Sequence, residues 1–334
     1  MPRLLAVSLL AAAAAALAAP AATLAADPPV APALPSVPGP APAADVLVAP
    51  DPLAQQIAAL DGTVVWVSGR FGHQTLMQRT PDGTIAAVKG APLSRSYSSI
   101  DLGHNSDGRL LLTYLRCDAG AACKALWNDL DGRRATFRKL TPPGCTVSTA
   151  PAQWRTRVAY GLSCTGSVTS RKRTGLYIKN GSRPPVRLPR PHDAVKYGVM
   201  NVQSVDLRAT RVAAVAADIY TYAFSETTAG KGMSSFLAAA SEGDSDERSP
   251  GLALGSRNDM WSLTDASHAG DPNEATIFRT EPTGCESRER LVSAAESDDF
   301  LATDLAVDGR TVYLLVPGEG VVTHAFAPSE GVCS

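Results

Sequence analysis

The stretch Ile57–Lys89, IAALDGTVVWVSGRFGHQTLMQRTPDGTIAAVK, predicts a compact unit of antiparallel β-strands. Its central segment, Thr63–Ser68, is rich in β-branched and aromatic residues, which is typical of a buried strand. The dipeptide Asp61-Gly62 predicts a tight turn before this strand, because Gly tolerates positive φ and Asp can bond its own backbone. Two further turns, at 69–72 and 81–83, complete four short strands in about forty residues, the size of one propeller blade.

Variants of this unit recur along the chain at intervals between 46 and 54 residues. The equivalent turns between first and second strands fall near Asp61, Asp107, Arg155, Ala209, Arg257 and Asp308. A regular repeat of this length predicts an all-β fold, a six-bladed β-propeller of four-stranded antiparallel blades. We refer to the repeats as the first to sixth units.

The sixth unit shows only three clear strands in Leu301–Phe326. We expect Asp45–Ala49, with the sequence DVLVA, to supply the missing strand from the other end of the folded region. Such a strand would close the ring and remove the exposed sheet edges between the last and first units.

The chain before the repeats has two segments of unusual composition. Residues 1–26 carry one early arginine, an apolar run and small residues, which predicts a cleaved secretory signal peptide. An uncleaved membrane anchor is the alternative, although Pro20 interrupts the apolar run. Residues 27–44 are rich in Pro and Ala and predict a semi-rigid linker, either a spacer or an inert connection. The propeller domain is then 45–334.

An even number of cysteines behind a signal peptide predicts disulfide bonds. The spacing suggests that the first two flank a hairpin loop and that the next two flank strands of the third unit, which leaves the last two as a pair. No spacing fits a zinc site. The six residues are Cys117, Cys123, Cys145, Cys164, Cys285 and Cys333.

The charge balance gives no reason to expect nucleic acid or an acidic membrane as a partner, because the formal net charge is −1. The short basic run 171–173 has no accompanying aromatic stripe, so a solvated loop is favoured over a nucleic-acid contact. We predict a monomer that is not an integral membrane protein once its signal is removed. A protein or small-ligand partner is expected, without an identity.

The repeats LDGTVVWVSG…LMQRTPDGTIAAVKG and VDGRTVYLLV resemble those of TolB-like six-bladed propellers, which carry a similar Asp-Gly turn between first and second strands. The resemblance covers about 45–334 and implies a ring with a central channel. TolB itself has an additional α/β domain before its propeller, where this chain has only the Pro/Ala-rich linker. The partner-binding role of TolB is therefore not carried over.

First strands of a propeller line its central channel, which makes the acids on those strands candidate site residues. Asp101, Asp206 and Asp304 occupy similar places in the second, fourth and sixth units. They could converge on a metal or a sugar, or they could be polar ends of strands. His104 lies near Asp101 in the sequence, and this pair is the best candidate for proton chemistry.

Several other chemistries have little support. There is no G-x-S-x-G motif, and the five histidines are scattered. The acidic run 242–247 lacks the alternating ligands and final Glu of a calcium loop. No Gly-rich phosphate loop is present, so the sequence leaves any cofactor open.

The sequence thus favours a secreted propeller that acts as a protein- or ligand-binding or scaffold module in the cell envelope. The alternative is a propeller hydrolase or lactonase that uses channel carboxylates with a divalent metal. We expect a binding protein rather than an enzyme.

Overall fold

The structure, a computed structural model, describes residues 45–118, 123–137, 140–167, 172–189, 201–217, 220–230, 234–240, 251–266, 274–292, 302–329 and 331. Regular secondary structure in these ranges consists of β-strands. None of them contains a helix with the length and apolar character of a membrane span. The predicted signal peptide, the linker and the acidic run 242–247 lie outside them, so these interpretations remain predictions.

The first two units each contain four consecutive strands. A separate strand, β1 (Val46–Pro50), precedes them. The first unit consists of β2 (Ala54–Leu60), β3 (Thr63–Ser68), β4 (Thr75–Arg79) and β5 (Ile85–Ala87). The second unit consists of β6 (Ser96–His104), β7 (Leu110–Cys117), β8 (Lys124–Asn128) and β9 (Arg134–Thr136).

The third and fourth units follow the same order with one variation in strand number. The third unit consists of β10 (Cys145–Val147), β11 (Ala152–Trp154), β12 (Arg157–Cys164), β13 (Gly175–Asn180) and β14 (Val186–Arg187). The fourth unit consists of β15 (Asn201–Arg208), β16 (Arg211–Ala217), β17 (Tyr220–Thr227) and β18 (Ser234–Ala240).

The last two units complete the described strands. The fifth unit consists of β19 (Gly251–Leu254), β20 (Met260–Ala266), β21 (Glu274–Thr280) and β22 (Glu286–Val292). The sixth unit consists of β23 (Asp304–Asp308), β24 (Thr311–Val316) and β25 (Gly320–His324).

The strands pair into four four-stranded sheets and one nine-stranded sheet. The nine-stranded sheet is the second and third units joined by a single parallel pair, Trp154 with His104. Gly103 permits this approach, because a Cβ there would lie 1.8 Å from the Gln153 carbonyl oxygen. Counting the joined units separately gives the six antiparallel units that the repeat predicts. The propeller prediction is confirmed.

Hydrophobic packing runs around the whole ring. Each successive pair of units shares one cluster of buried side chains, and the sixth unit shares one with the first. The strand Thr63–Ser68 shows why: Val65 and Val67 pack toward the second unit, while Val64 and Trp66 pack toward the sixth. A continuous stack of this kind buries the inner strands of the sheets, whereas outer strands such as β5 and β9 are exposed.

The ring is closed by the N-terminal strand, as predicted. β1 pairs antiparallel with β25, with Val46 opposite Thr323 and Pro50 opposite Gly320. It forms the outer edge of the sixth sheet, in the order β1-β25-β24-β23. The two ends of the propeller therefore complete one sheet together.

The third unit departs from the predicted four strands, because it has five. Its first strand is split into β10 and β11, and both pieces pair with β12. In the break, Thr149 accepts a hydrogen bond from the Gly161 N–H through its side-chain oxygen at 3.0 Å, and Pro151 has no N–H to donate. Side chains replace the main-chain ladder over these residues.

The fourth unit also differs from expectation in its second half. The sequence predicts one strand near 234–239 and a short or absent fourth strand. The structure instead has β17 as the third strand and β18 as the fourth, in the order β15-β16-β17-β18. The strand Tyr220–Thr227 was missed, although its sequence YTYAFSET alternates aromatic and small residues over its first six positions.

Disulfide bonding is present. Cys117 bonds Cys123 across the β7–β8 loop, and Cys145 bonds Cys164 across β10 and β12. Cys285 is also disulfide-bonded. Its expected partner, Cys333, lies outside the described residues.

Candidate functional site: the central channel

The first strands of all six units surround a cavity of about 530 Å³ along the ring axis. Residues from β2, β6, β11, β15, β19 and β23 line it. A cavity of this size fits a small organic molecule, because ligand pockets typically measure about 300–1,000 Å³. The walls are β-strands packed on both sides, so the lining is rigid.

The three predicted aspartates all line this cavity. Asp101 lies on β6, Asp206 on β15 and Asp304 on β23. They lie at different distances from the turns that join first to second strands. On the second strands, Thr113 is opposite Asp101, Ala213 is opposite Asp206 and Leu315 is opposite Asp304. The structure therefore brings these side chains to one space at different depths.

Two of the three carboxylates hold neighbouring units together. Asp206 accepts a hydrogen bond from the Leu254 N–H of the fifth unit at 2.5 Å. Asp304 accepts one from the Ile57 N–H of the first unit at 3.0 Å. First strands of adjacent units expose main-chain donors toward the channel, and buried donors need acceptors. These two side chains thus act as clamps between units.

Asp101 has no comparable role. Its side chain is 8% exposed, and its Oδ2 atom has no hydrogen-bond partner among the described residues. The nearby Thr113 hydroxyl donates to the Asp101 main-chain oxygen instead, at 3.4 Å. Because Asp101 also lines the cavity, its side chain is a candidate for contact with a ligand.

Burial raises the pKa of all three aspartates. For Asp101, burial and the neighbouring Asp206 carboxyl place the pKa well above its ordinary range. Burial also raises the pKa of Asp206, against the attraction of Arg208. Burial raises the pKa of Asp304 to about 7, although the Ile57 and Leu305 N–H groups favour the charged form.

Arg208 places one guanidinium in the same cavity. It is 8% exposed, and its Cζ lies 5.9 Å from the centre of the Trp154 ring. Its Nη2 lies 3.9 Å from the Asp308 Oδ1, whereas its Nη1 is buried without a hydrogen-bond partner among the described residues. Arg208 is therefore only partly neutralised.

His104 lies at the end of the ring where first strands turn into second strands. Its Nε2 is 2.7 Å from the Asp61 Oδ2, and its ring meets Trp154 edge to face at 4.7 Å. The contacts of His104 are thus with the first and third units rather than with Asp101. Strand geometry explains this, since residues three apart point to opposite faces.

Arg208 and Trp154 were not among the site residues predicted from the sequence. A signal for Arg208 was present, because Asp206 and Arg208 are two residues apart on one strand and share a face. Trp154 gave no such signal, since it was assigned to a turn. Its strand is short and follows the break in the third unit.

The described residues hold no group of three or more His, Cys, Asp or Glu side chains close enough together to bind a metal ion. The convergence of Asp101, Asp206 and Asp304 on a metal is therefore not seen in their geometry.

The basic run 171–173 makes a contact within the third unit. Its Arg173 donates a hydrogen bond to the Pro143 carbonyl at 3.2 Å.

An exposed apolar rim lies at the end of the ring where the first strands begin. Pro52 lines the cavity, and its neighbour Leu53 is exposed. Phe71, which is 67% exposed, lies in the β3–β4 loop, whose Gly69 N–H bonds the Leu53 carbonyl at 3.3 Å. Leu93 is 75% exposed, two residues before Arg95, which stacks on Phe71 at 5.1 Å.

No family model matches this chain, and no curated protein matches it. Solved structures do. A protein of unknown function from Dyadobacter fermentans is 12% identical with a TM-score of 0.50, and the match covers 86% of this chain and 98% of that chain.

Two other solved structures have lower scores. Virginiamycin B lyase from Staphylococcus aureus is 13% identical with a TM-score of 0.46, over 84% of this chain and 98% of that chain. SapL1 lectin, in complex with alpha methyl fucoside, is 11% identical with a TM-score of 0.48, over 86% of this chain and 98% of that chain. Identities this low concern the fold alone.

Proposed function

We propose that this protein is an exported binding module whose central channel holds a small polar organic ligand. One observation carries the proposal: Asp101 and Arg208 line one cavity, and each has a buried polar atom, Oδ2 and Nη1 respectively, without a partner in the described structure. One group accepts hydrogen bonds when ionised, and the other only donates them. A ligand with donors and acceptors would satisfy both.

Leaving such buried polar groups unpaired lowers the stability of the fold. A buried polar group without a partner destabilises a fold by roughly 1–3 kcal/mol, and more when it is charged. Functional sites typically retain groups that lower the stability of the fold. The Asp101 carboxyl has the N–H of its neighbour Leu102 as a main-chain donor, whereas Asp206 and Asp304 each accept an N–H from the next unit.

Export rests on the N-terminal composition and on the disulfides. Residues 1–26 fit a secretory signal, and the bonds of Cys117 with Cys123 and of Cys145 with Cys164 suit an oxidising compartment. The exposed rim at Leu53, Phe71 and Leu93 supports binding beside the channel opening.

A relation to TolB-like propellers is a finer part of the proposal. It is supported by the Asp61-Gly62 and Asp308-Gly309 turns, which join first to second strands in the first and sixth units. Gly62 and Gly309 have φ of 74° and 64°, a conformation that favours glycine.

The test combines ligand screening with a ligand-free measurement. We would screen small polar compounds by thermal shift on the purified protein and on two variants, Asp101→Asn and a control, Asp131→Asn, in the exposed turn after β8. A ligand at a hundred times its Kd should stabilise the wild type by about 2.7 kcal/mol. Asp101→Asn should weaken binding at least tenfold, while Asp131→Asn should not.

Without ligand, Asp101→Asn should keep or raise the melting temperature, because the asparagine fills the same space and carries no buried charge. A clear drop relative to Asp131→Asn would show that the Asp101 carboxyl supports the fold, and the proposal would then be wrong. Binding that survives in Asp101→Asn would contradict it as well.

A hydrolase or lactonase is the second candidate, favoured by the Asp304 pKa of about 7, which suits a general acid or base near neutral pH. Chromogenic lactones and esters would test it. Turnover that Asp304→Asn abolishes and Asp131→Asn retains would support catalysis. Absence of turnover would remove this candidate.

A further inference from the structure

We propose that the channel ligand is a small organic amine, bound as its ammonium form by the Asp101 carboxylate. This inference rests on the proposed binding function and adds the chemical class of the ligand. It begins with the charges on the cavity wall, where three carboxyl groups face one guanidinium.

The acids outnumber the cation even after nearby groups are considered. Arg208 is shared between the cavity acids and Asp308, which lies 3.9 Å from it at one end of the channel. Asp206 and Asp304 accept main-chain N–H groups, which stabilise but do not neutralise their charge. When these acids are ionised the remaining excess is negative, so the cavity in that state favours a cation.

Asp101 is the residue best placed to receive that cation. It is more than nine-tenths buried, and its Oδ2 has no partner among the described residues. An ammonium group donates up to three hydrogen bonds, and charge-assisted bonds of this kind are about twice as strong as neutral ones. A hydroxyl on the same ligand would accept from the unpartnered Arg208 Nη1.

The cavity suits an organic cation better than a bare metal ion. A metal needs several ligands within one coordination sphere, and the described residues contain no such cluster. The volume of about 530 Å³ has room for a molecule that spans the wall from Asp101 to the other acids. The indole of Trp154 lines the same space and offers an apolar face to a carbon skeleton.

Binding of an ammonium should couple to proton release. Burial raises the pKa of Asp101 and Asp206, and it raises that of Asp304 to about 7, so Asp304 is partly protonated near neutral pH. A bound cation favours the ionised form, and affinity should therefore rise with pH until these groups are ionised. Other charged groups at the channel are Arg208 and Asp308 within the ring, and His104 with Asp61 at the turn end.

The experiment uses three probes of nearly equal shape: 1,5-pentanediol, 5-amino-1-pentanol and 1,5-diaminopentane. Each is titrated by calorimetry into the full-length protein in amine-free phosphate buffer at pH 6, 7 and 8. We expect the amino alcohol to bind at least tenfold more tightly than the diol. We expect its affinity to rise between pH 6 and 8, up to tenfold per unit for each proton released.

The variant series assigns the effect to one residue. Asp101→Asn should reduce the affinity for the amino alcohol at least tenfold, to the weak level of the diol, whereas the exposed control Asp131→Asn should leave it unchanged. A melt of each variant confirms that it is folded.

The outcomes separate this inference from the proposed function. Diol binding that equals or exceeds binding of the amino alcohol would overturn the amine and leave a channel that binds neutral ligands. A pH-independent amine affinity, or one that Asp101→Asn retains, would also overturn it. No binding by any probe would contradict the inference, and the ligand-free melt of Asp101→Asn then decides the proposed function by itself.

Discussion

The seam between the sixth and first units differs from the channel wall formed by the second and fourth units. At the seam, polar groups are paired: Asp304 accepts from the Ile57 N–H, Asp308 from the Gly62 N–H at 2.6 Å, and Asp51 from the Trp66 indole at 2.8 Å. On the channel wall, Asp101 and Arg208 retain unpartnered atoms among the described residues.

Aspartates on equivalent first strands therefore serve two purposes: some join neighbouring units, and Asp101 retains an oxygen that a ligand can use. The seam joins the two ends of the folded chain, and each hydrogen bond there opposes opening of the ring. The channel wall is held by its hydrophobic clusters, so it tolerates unpaired polar groups that a ligand can use. Four measurements would break or sharpen this comparison.

The largest effect should come from removing the closing strand. Deleting 45–49 removes the partner of β25 and uncovers Val321 and Tyr313, which pack with Ala49. We expect the free energy of unfolding to fall by several kcal/mol, measured by chemical denaturation. Deleting five residues from 30–40, in the Pro/Ala-rich segment, is the control. An equal loss in both deletions would show that β1 contributes little to the ring.

The pH dependence of stability should expose Asp304. Its folded pKa, about 7, exceeds the usual unfolded value, so the folded state binds more protons between them. Stability should therefore decrease as pH rises from about 4 to 7, by roughly 2–4 kcal/mol from this group. In Asp304→Asn this part of the decrease should disappear. Identical pH profiles for the two proteins would contradict the raised pKa.

A paired substitution compares the clamp with the free carboxyl directly. Asp206→Ala leaves the Leu254 N–H without its acceptor and should cost about 1–3 kcal/mol of stability. Asp101→Ala removes a carboxyl with no such partner and should cost less. Denaturant melts of both variants at pH 7 provide the measurement, and a greater loss in Asp101→Ala would reverse the assignment of roles.

The smallest effect should appear at the outer edge of the seam. His324 lies 2.9 Å from the Asp45 carboxylate and 3.1 Å from the Glu289 carboxylate. Burial opposes its charged form, but hydrogen bonds to Glu289 and Asp45 outweigh burial and raise the His324 pKa.

Since the folded pKa is raised, His324 stabilises fully below its unfolded pKa, near 6.5, and this contribution is lost as pH rises through the folded value. His324→Gln should therefore lower stability at pH 5.5 by about 0.5–1 kcal/mol and have less effect at pH 9. A larger loss at pH 9 would exclude this origin.

Much of the fold could be predicted because it depends on local patterns. Asp61-Gly62 forms the predicted turn, since its conformation is a property of two residues. The closing strand was predictable from an unfilled position in the sixth unit. The break in the third unit was not, because it depends on Thr149 satisfying a main-chain donor on a neighbouring strand.

The candidate site was predictable in part. Asp101, Asp206 and Asp304 could be predicted as channel residues from their positions on first strands, because a repeat places equivalent strands around one axis. Nothing local distinguished the clamping Asp206 from the unpartnered Asp101. That difference depends on whether a main-chain N–H of the next unit lies within hydrogen-bond distance of the carboxylate.

The sequence by itself determined the repeat, the turns, the identity of the closing strand and the acids of the first strands, because each depends on residue type and spacing within about fifty positions. Only the tertiary structure decided which polar atoms are paired. Pairing depends on distances between residues far apart in the chain, such as the 3.9 Å between Arg208 and Asp308. Ring closure sets these distances, and with them the charge and the free groups of the channel.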